Sequence, residues 1–274
     1  MPTMPRIFVD SLPATNTDHA IIILSHAHLD HYLQLRAWTG AIYCDNITKS
    51  LFDDDPRLVA ISPGYIPVLD MFAFRTCHCE GSLGVIYRTN PSMKTQYTCN
   101  LGDGRLSKTL LRYLRKIIHK HDFKITRVLA EAHLRPTNPA VRYPSIAKSR
   151  KWLSQAIKAY PTRPVYVAHV GMLDLIPTDR PWKIIDPDNS KMVSRYINLY
   201  HPPTLSPNAI QLLVHRPSKS SPGVIIPSLR YWRNRTIFEP EIDDEGNIRI
   251  FYSGHADMYE LQRAFDVLCS RQGY

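Results

Sequence analysis

The chain has 274 residues, 44% of them hydrophobic, enough for one large domain or two closely associated ones. No apolar run approaches the about 18 residues that suggest a transmembrane helix, and residues 1–10 carry two prolines in place of an apolar leader, so neither a membrane span nor a signal peptide is expected. The net charge of +10 favours a polyanionic partner, nucleic acid first. Five cysteines, an odd number in a long chain, read as reduced and intracellular.

In chain order, Arg6 to Asp10 and the isoleucine-rich Ala20 to Ser25 predict two buried strands, being short, β-branched and bounded by polar segments. Ala41 to Cys44 predicts a strand and Asn46 to Phe52 a short helix. Met71 to Phe74 and Gly84 to Arg88 predict strands on either side of a Cys-His-Cys turn, and Thr95 to Leu101 a strand ending at Gly102-Asp103-Gly104. A helix is predicted over Ser107 to Lys120, with Leu110, Leu111, Leu114, Ile117 and Ile118 inward and Arg112, Arg115, Lys116, His119 and Lys120 outward as a solvated face. Arg127 to Ala130 reads as a strand ending at Glu131, Ser145 to Tyr160 as a helix, and Val165 to Val170 as a strand. The proline-dense stretch from Pro177 to Pro222 predicts irregular connections. Ile237 to Glu241 and Asn247 to Tyr252 predict a hairpin across Asp244-Glu245-Gly246-Asn247. A closing helix from near Asp257 would carry Leu261, Ala264, Phe265 and Leu268 on one face.

The central chemical signal is His26-Ala27-His28-Leu29-Asp30-His31, directly after the second strand. Three of the chain's 12 histidines fall in these six positions, too dense for an incidental polar loop. On extended backbone, residues i and i+2 point the same way, so His26 and His28 can grip one metal ion. Asp30 and His31, in the turn that follows, can serve a second. Cys77 and Cys79 flank His78 and could bind zinc by themselves, but no second pair stands at finger spacing. Arg230, Tyr231, Trp232, Arg233 and Arg235 form a basic-aromatic cluster. Two readings stay open for it: a nucleic-acid contact through Arg230, Trp232 and Arg233, or an amphipathic edge strand.

His-x-His-x-Asp-His after an apolar strand resembles the signature of the metallo-β-lactamase superfamily. Further segments resemble its β-CASP branch, in particular DNA nucleases of the Artemis and Apollo type. Asp10 matches the acid that ends the first strand. Ile42-Tyr43-Cys44-Asp45-Asn46-Ile47-Thr48 is similar to Tyr-Cys-Ser-x-x-Thr, and His78-Cys79-Glu80-Gly81-Ser82 to His-Cys-Pro-Gly-Ser. Leu101-Gly102-Asp103-Gly104-Arg105 is similar to Thr-Gly-Asp-Phe-Arg, and Tyr143-Pro144-Ser145 to a Pro-Ser helix start. Tyr252-Ser253-Gly254-His255-Ala256-Asp257 is similar to the branch's late histidine motif. The resemblance implies His78 as the third histidine of the first metal and Asp103 as a bridge between metals. It implies His255 as a general acid or transition-state contact, the alternative being a structural cap of the closing helix. An acid should pair with His255. The apolar strand before it selects Glu131, whereas aligning Asn138-Pro139 puts His133 there, and Glu131 is preferred because it alone has the charge.

The sequence departs from the family at Glu80, which stands in place of proline, and at Gly104, in place of an aromatic residue. The family's Tyr-Ser-x-Gly-Lys stretch is reduced to Ala168-His169-Val170-Gly171-Met172, with His169 expected in the core. The family's last motif would begin about where the sequence stops at Tyr274, so the second metal is expected to be weak or absent.

The expectation is therefore an α/β chain with a four-layer αββα metallo-β-lactamase core, residues 1–139 and 236–274, and a reduced β-CASP-like insert, residues 140–235. The expected activity is metal-dependent hydrolysis of phosphodiester bonds, foremost a 5′-exonuclease on DNA, in the nucleus if the source is eukaryotic. The metal ligands would be His26, His28, Asp30, His31, His78 and Asp103, holding one or two zinc ions, with manganese or magnesium possible. Asp30, Asp103, Glu131 and His255 would be catalytic. The competing readings are an RNA-processing nuclease, a small-molecule hydrolase and a non-catalytic nucleic-acid-binding protein.

Overall fold

The computed structural model describes residues 5–14, 20–52, 54–90, 95–130, 142–186, 192–201, 204, 206–217, 223–228, 230–232, 235 and 237–269. β1 (Arg6–Val9) and β2 (Ala20–Ile23) are the first two β-branched runs. They pair in parallel, with Ile7 opposite Ile21 and Val9 opposite Ile23. β3 (Ile42–Asp45) and β4 (Leu58–Ile61) extend the same parallel sheet in the order β1-β2-β3-β4. A second sheet runs β5-β6-β7-β8-β9, formed by Gly64–Ile66, Met71–Arg75, Leu83–Arg88, Gln96–Asn100 and Lys124–Leu129. It is antiparallel except for the β8–β9 pair.

Alternation along the strands decides what each face covers. Ile21 and Ile23 of β2 pack with Met71, Ala73 and Val85, so an apolar layer joins the two sheets. Phe72, Phe74, Ile86 and Cys99 face the other way, onto α3 (Lys108–Lys120) and α6 (Met258–Cys269). In α3 the spacing fulfils its prediction: Leu110, Leu111, Leu114 and Ile118 are buried and Ile117 half-buried, while the Ser107 hydroxyl caps the helix by accepting from Leu110 N at 3.1 Å. In α6, Ala264 and Leu268 are buried, but Phe265 is 50% exposed, so the expected inward stripe omits it. The short helices α1 (Leu29–Gln34) and α2 (Asn46–Ser50) follow β2 and β3.

The chain divides into two units, Met1–His133 with His255–Tyr274, and Leu134–Gly254. The second contains a six-stranded sheet in the order β11-β12-β10-β13-β15-β14. Its strands are β10 (Val165–Tyr166), β11 (Trp182–Ile184), β12 (Ile210–Leu213), β13 (Ile225–Ser228), β14 (Glu241–Ile242) and β15 (Ile248–Phe251). Every pair is parallel except β14–β15. Helices α4 (Ile146–Ala159) and α5 (Met192–Tyr200) belong to this unit.

Three expectations about elements differ from the structure. The stretch from Pro177 to Pro222 is not irregular: it supplies β11, α5 and β12, because parallel pairing organises strands too short to show a period. The strand expected from Val165 to Val170 stops at Tyr166 and passes into a 3-10 turn, Val170–Leu175. The hairpin's first strand begins only at Glu241, and the turn runs from Asp243, which accepts from Glu245 N and Asn247 N. β15 also pairs with β13, and the hairpin falls within the second unit. Among the described residues, no helix is long and apolar enough to cross a membrane.

Candidate metal centre

The site is assembled in the first unit from turns that follow strands. Asp10, just past β1, has a φ of +50°, a conformation that costs an L-residue energy and needs holding in place. Its carboxylate accepts from Ser25 N at 2.7 Å and from Ser25 Oγ at 2.5 Å. Ser25 Oγ is also 2.8 Å from His26 Nδ1. A carboxylate only accepts, so the serine hydroxyl donates to Asp10 and accepts from His26 Nδ1–H. That fixes the tautomer and leaves the lone pair on His26 Nε2. This nitrogen is buried and has no hydrogen-bond partner among the described residues; Asp103 Oδ2 stands 3.6 Å away. The same Asp10 carboxylate lies 2.9 Å from His31 Nδ1.

His28 has extended backbone at the N-cap of α1 and its ring makes no capping bond; Leu29, Asp30 and His31 form the helix's first turn. The other end of α1 is pinned by Arg57, which donates to the carbonyls of Leu35, Arg36 and Trp38. Arg57 is itself held by Asp55 at 2.6 and 2.8 Å, and Asp55 also accepts from Tyr32 at 2.7 Å. Hydrogen bonding from Arg57 draws the Asp55 pKa down to about 2.

His78 sits in the turn between β6 and β7. The chain reverses at Gly81, whose φ of +81° suits glycine; a Cβ there would also meet Ile47 and Thr48 atoms of α2 at 3.0 Å. Thr48, wholly buried, donates to Gly81 O at 3.1 Å, and Leu83 N donates to Ser25 O at 2.8 Å, which ties this turn to the residue before His26. Asp103 follows Gly102, another left-handed position at φ +59°. The next loop residues are anchored by Arg105, buried and paired in a fork with Glu260 of α6 at 2.7 to 3.0 Å.

These turns bring five imidazoles together. Ring centroids lie 4.4 Å apart for His26–His28, 4.3 Å for His26–His31, 4.6 Å for His26–His78, 4.8 Å for His28–His78 and 5.0 Å for His78–His255. One ligand atom from each of His26, His28, His78 and Asp103 lies within 4.8 Å of all the others, and Asp10, His26 and His31 form a second such set. His28 Nδ1 and His78 Nε2 are 3.3 Å apart, matching the roughly 3.3 Å between two nitrogens on a tetrahedral ion with bonds of 2.0–2.1 Å. The buried His26 nitrogen, the fixed tautomer and the imidazole–carboxylate donor set all fit a divalent cation such as zinc.

The electrostatics differ within the cluster. Burial, then the neighbouring His78 and His31, hold His26 well below the usual imidazole range. Burial would lower His31 too, but hydrogen bonds to Asp10 and Asp103 outweigh it and raise its pKa to about 11. His31 Nε2 is 3.1 Å from Asp103 Oδ2. Asp10 and Asp103 thus favour the charged form of His31.

The other sequence candidates are placed as follows. The Asp30 side chain is 68% exposed at the rim, with Oδ2 3.9 Å from His31 Nε2, and belongs to neither four-residue nor three-residue set. His255 stands beside His78, and the turn into α6 is capped by Asp257, which accepts from Glu260 N at 2.8 Å; the cap role considered for His255 is taken by that aspartate. Neither ligand set includes a cysteine: Cys79 is buried against Ser82, so a separate Cys77–His78–Cys79 site is not formed. Glu131, its rival His133, and Arg233 lie outside the described residues. Arg230 begins a 3-10 turn, Arg230–Trp232. Trp232 is only 2% exposed and packs near Phe238 and Tyr231, so it offers no open face for stacking on a base. Arg235 is paired with Glu241 and lies over the Tyr231 ring. His169 is half-buried with its ring 6.1 Å from Tyr252, and not in the core as expected. Sequence reading missed Ser25 and the Arg105–Glu260 fork. Adjacency to His26 was the available signal for the serine; the fork joins residues too far apart in sequence to have one.

No family model matches the chain. Over 110 residues it is 34% identical to the DNA cross-link repair protein pso2/snm1 of Schizosaccharomyces pombe (strain 972). That stretch covers 35% of this chain and 20% of the relative, so the chain matches about a fifth of the relative's length.

Proposed function

We propose that the chain is a metal-dependent nuclease that hydrolyses phosphodiester bonds of DNA, with a metallo-β-lactamase core and a reduced β-CASP-like insert over residues 140–235. The observation that carries this reading is the set of His26, His78 and Asp103, all buried, with half-buried His28, beside the Asp10–His31 pair. The net charge of +10 and the name of the relative support DNA and repair over a small-molecule ester. The finer reading is a 5′-exonuclease, working in the nucleus if the source is eukaryotic.

His26, His28, His78 and Asp103 would hold the first ion, and His31 and Asp103, with Asp30 at the rim, a second. A bound zinc, or manganese or magnesium in its place, would supply the charge that brings the pKa of a water toward about 7 and stabilises negative charge on the phosphate. Ser25 keeps His26 in the tautomer that presents Nε2, with Asp10 behind it. Asp10 also orients His31. Asp30 Oδ2, exposed at the rim, would be placed to take a proton from the attacking water. His255, beside His78, would give a proton to the leaving oxygen, and Glu131, outside the described residues, is the acid proposed to pair with it.

The test is cleavage of 5′-phosphorylated single-stranded DNA and matched RNA by wild type and by a His28→Ala/Asp103→Ala variant. DNA trimming that disappears in the variant supports the proposal. Preference for RNA moves the protein to RNA processing. Cleavage of neither overturns the nuclease reading and turns attention to small esters.

A further inference from the structure

The outward face of α3 has no part in the reaction proposed above. Lys108, Arg112, Lys116 and Lys120 recur at every fourth position of this 13-residue helix. They form one oblique row, turning about 40° around the helix at each step, with about 6 Å of rise between successive charges and about 18 Å along the axis from first to last. Arg115 and His119 stand alongside, and all six side chains are exposed. The helix contains no acidic residue, and among the described residues none of the six is in an ion pair.

Like charges at i and i+4 repel and destabilise a helix. The line carries three such pairs, although the inward leucines alone would seat α3 with any polar residues outside. A merely solvated face interleaves both signs; this one has a single sign, which complements a polyanion. An anionic membrane is the weaker match, because the apolar face of α3 is used against the core and Tyr113 is its one exposed large apolar residue. A nucleic-acid strand places phosphates every 3.4 Å along its axis, so the line spans about five of them. Lys108 follows Asp103 closely in the chain, so the line begins beside the loop that carries Asp103.

We propose that this ridge, Lys108–Arg112–Lys116–Lys120, is a docking site for the phosphodiester backbone of nucleic acid, separate from the metal centre. Nucleic acid as the ligand rests on the functional reading above; the ridge itself is read from its charge and spacing. The test is binding of a fluorescein-labelled 30-base-pair DNA duplex by anisotropy, in EDTA, across a salt series, for the full chain. The variant Lys108→Gln/Arg112→Gln/Lys116→Gln/Lys120→Gln should bind on the order of 10- to 100-fold more weakly at low salt. Its slope of log affinity against log salt should shrink by about 3 to 4, near 0.9 per lost phosphate contact. It should melt at or above the wild-type temperature, since repulsion is relieved. If it fails to fold, Lys116→Gln/Lys120→Gln decides, with a slope smaller by about 2. Affinity and slope equal to wild type overturn the proposal, as does selective loss of binding to phosphatidylserine vesicles with duplex binding intact. Binding in EDTA needs no cleavage, so the two readings fail separately. A chain that binds through the ridge yet cuts nothing loses the nuclease reading alone; one that cuts DNA while the ridge variant binds normally loses the ridge alone.

Discussion

The histidine cluster of the first unit and the basic-aromatic cluster of the second are both dense in polar and aromatic rings, yet they are built on opposite rules. Around Tyr231, unlike groups are matched: Arg235 pairs with Glu241, Tyr231 donates to Glu241, and Arg249 pairs with Asp243. Trp232 fills the interior beneath them. Around His26, like faces like: imidazoles crowd imidazoles at centroid distances under 5 Å, inside a buried pocket where they cannot all be charged. Internal pairing of that kind finishes a structure. A gathering of similar donors is finished only by something from outside, which the cation proposed above would supply here. The cations of α3, in no ion pair among the described residues, would follow the second rule on the surface if they dock a polyanion as proposed.

The comparison breaks most readily at its largest effect. Asp103→Ala should remove stoichiometric metal and bring DNA cleavage to background; metal analysis beside a cleavage assay checks both. Trp232→Ala should instead act on stability, costing about 3–5 kcal/mol as a large buried ring is deleted. Denaturant titration would show it, and nucleic-acid affinity of the folded fraction should not change. If affinity falls while stability holds, Trp232 belongs with the functional cluster after all.

Smaller effects sharpen the account. Asp55 has its folded pKa lowered from 3.8 to about 2. Its contribution is therefore present above the unfolded value and lost as pH falls through the folded one, a window between about pH 4 and pH 2. The shift corresponds to about 2 kcal/mol. Asp55→Asn should flatten the stability–pH curve in that window, and an unchanged curve would remove Asp55 from the pinning of α1. Ser25→Ala should weaken metal binding by about 10- to 100-fold, the usual effect of losing a partner that orients a ligand. Ser25→Thr, which keeps the hydroxyl, should restore it. Equal affinity in all three proteins would mean that the tautomer is fixed by other means.

What was legible in the sequence follows from how local each signal is. Leu110, Leu111, Leu114 and Ile118 declare an inward helix face within a few turns, and Ser107 marks its start. His26, His28 and His31 announce themselves within six residues. His78, Asp103 and His255 came only through resemblance, because their meeting depends on how three separate turns are held, by Thr48, Gly102 and the Arg105–Glu260 fork. β11 and β12 were hidden among prolines because each is short and gains its order from a parallel neighbour. In the basic-aromatic cluster, Arg235 and Trp232 look available in the sequence until Glu241 and the interior claim them, while Arg233 lies outside the described residues.

The most direct test of the central claim is the metal content of the purified chain, by mass spectrometry of the element, beside that of His26→Ala. The account predicts at least about one zinc-class ion per wild-type chain and a fall well below that in the variant. A wild-type chain that takes up no divalent ion even when zinc is supplied, or a variant that keeps a full complement, would contradict it.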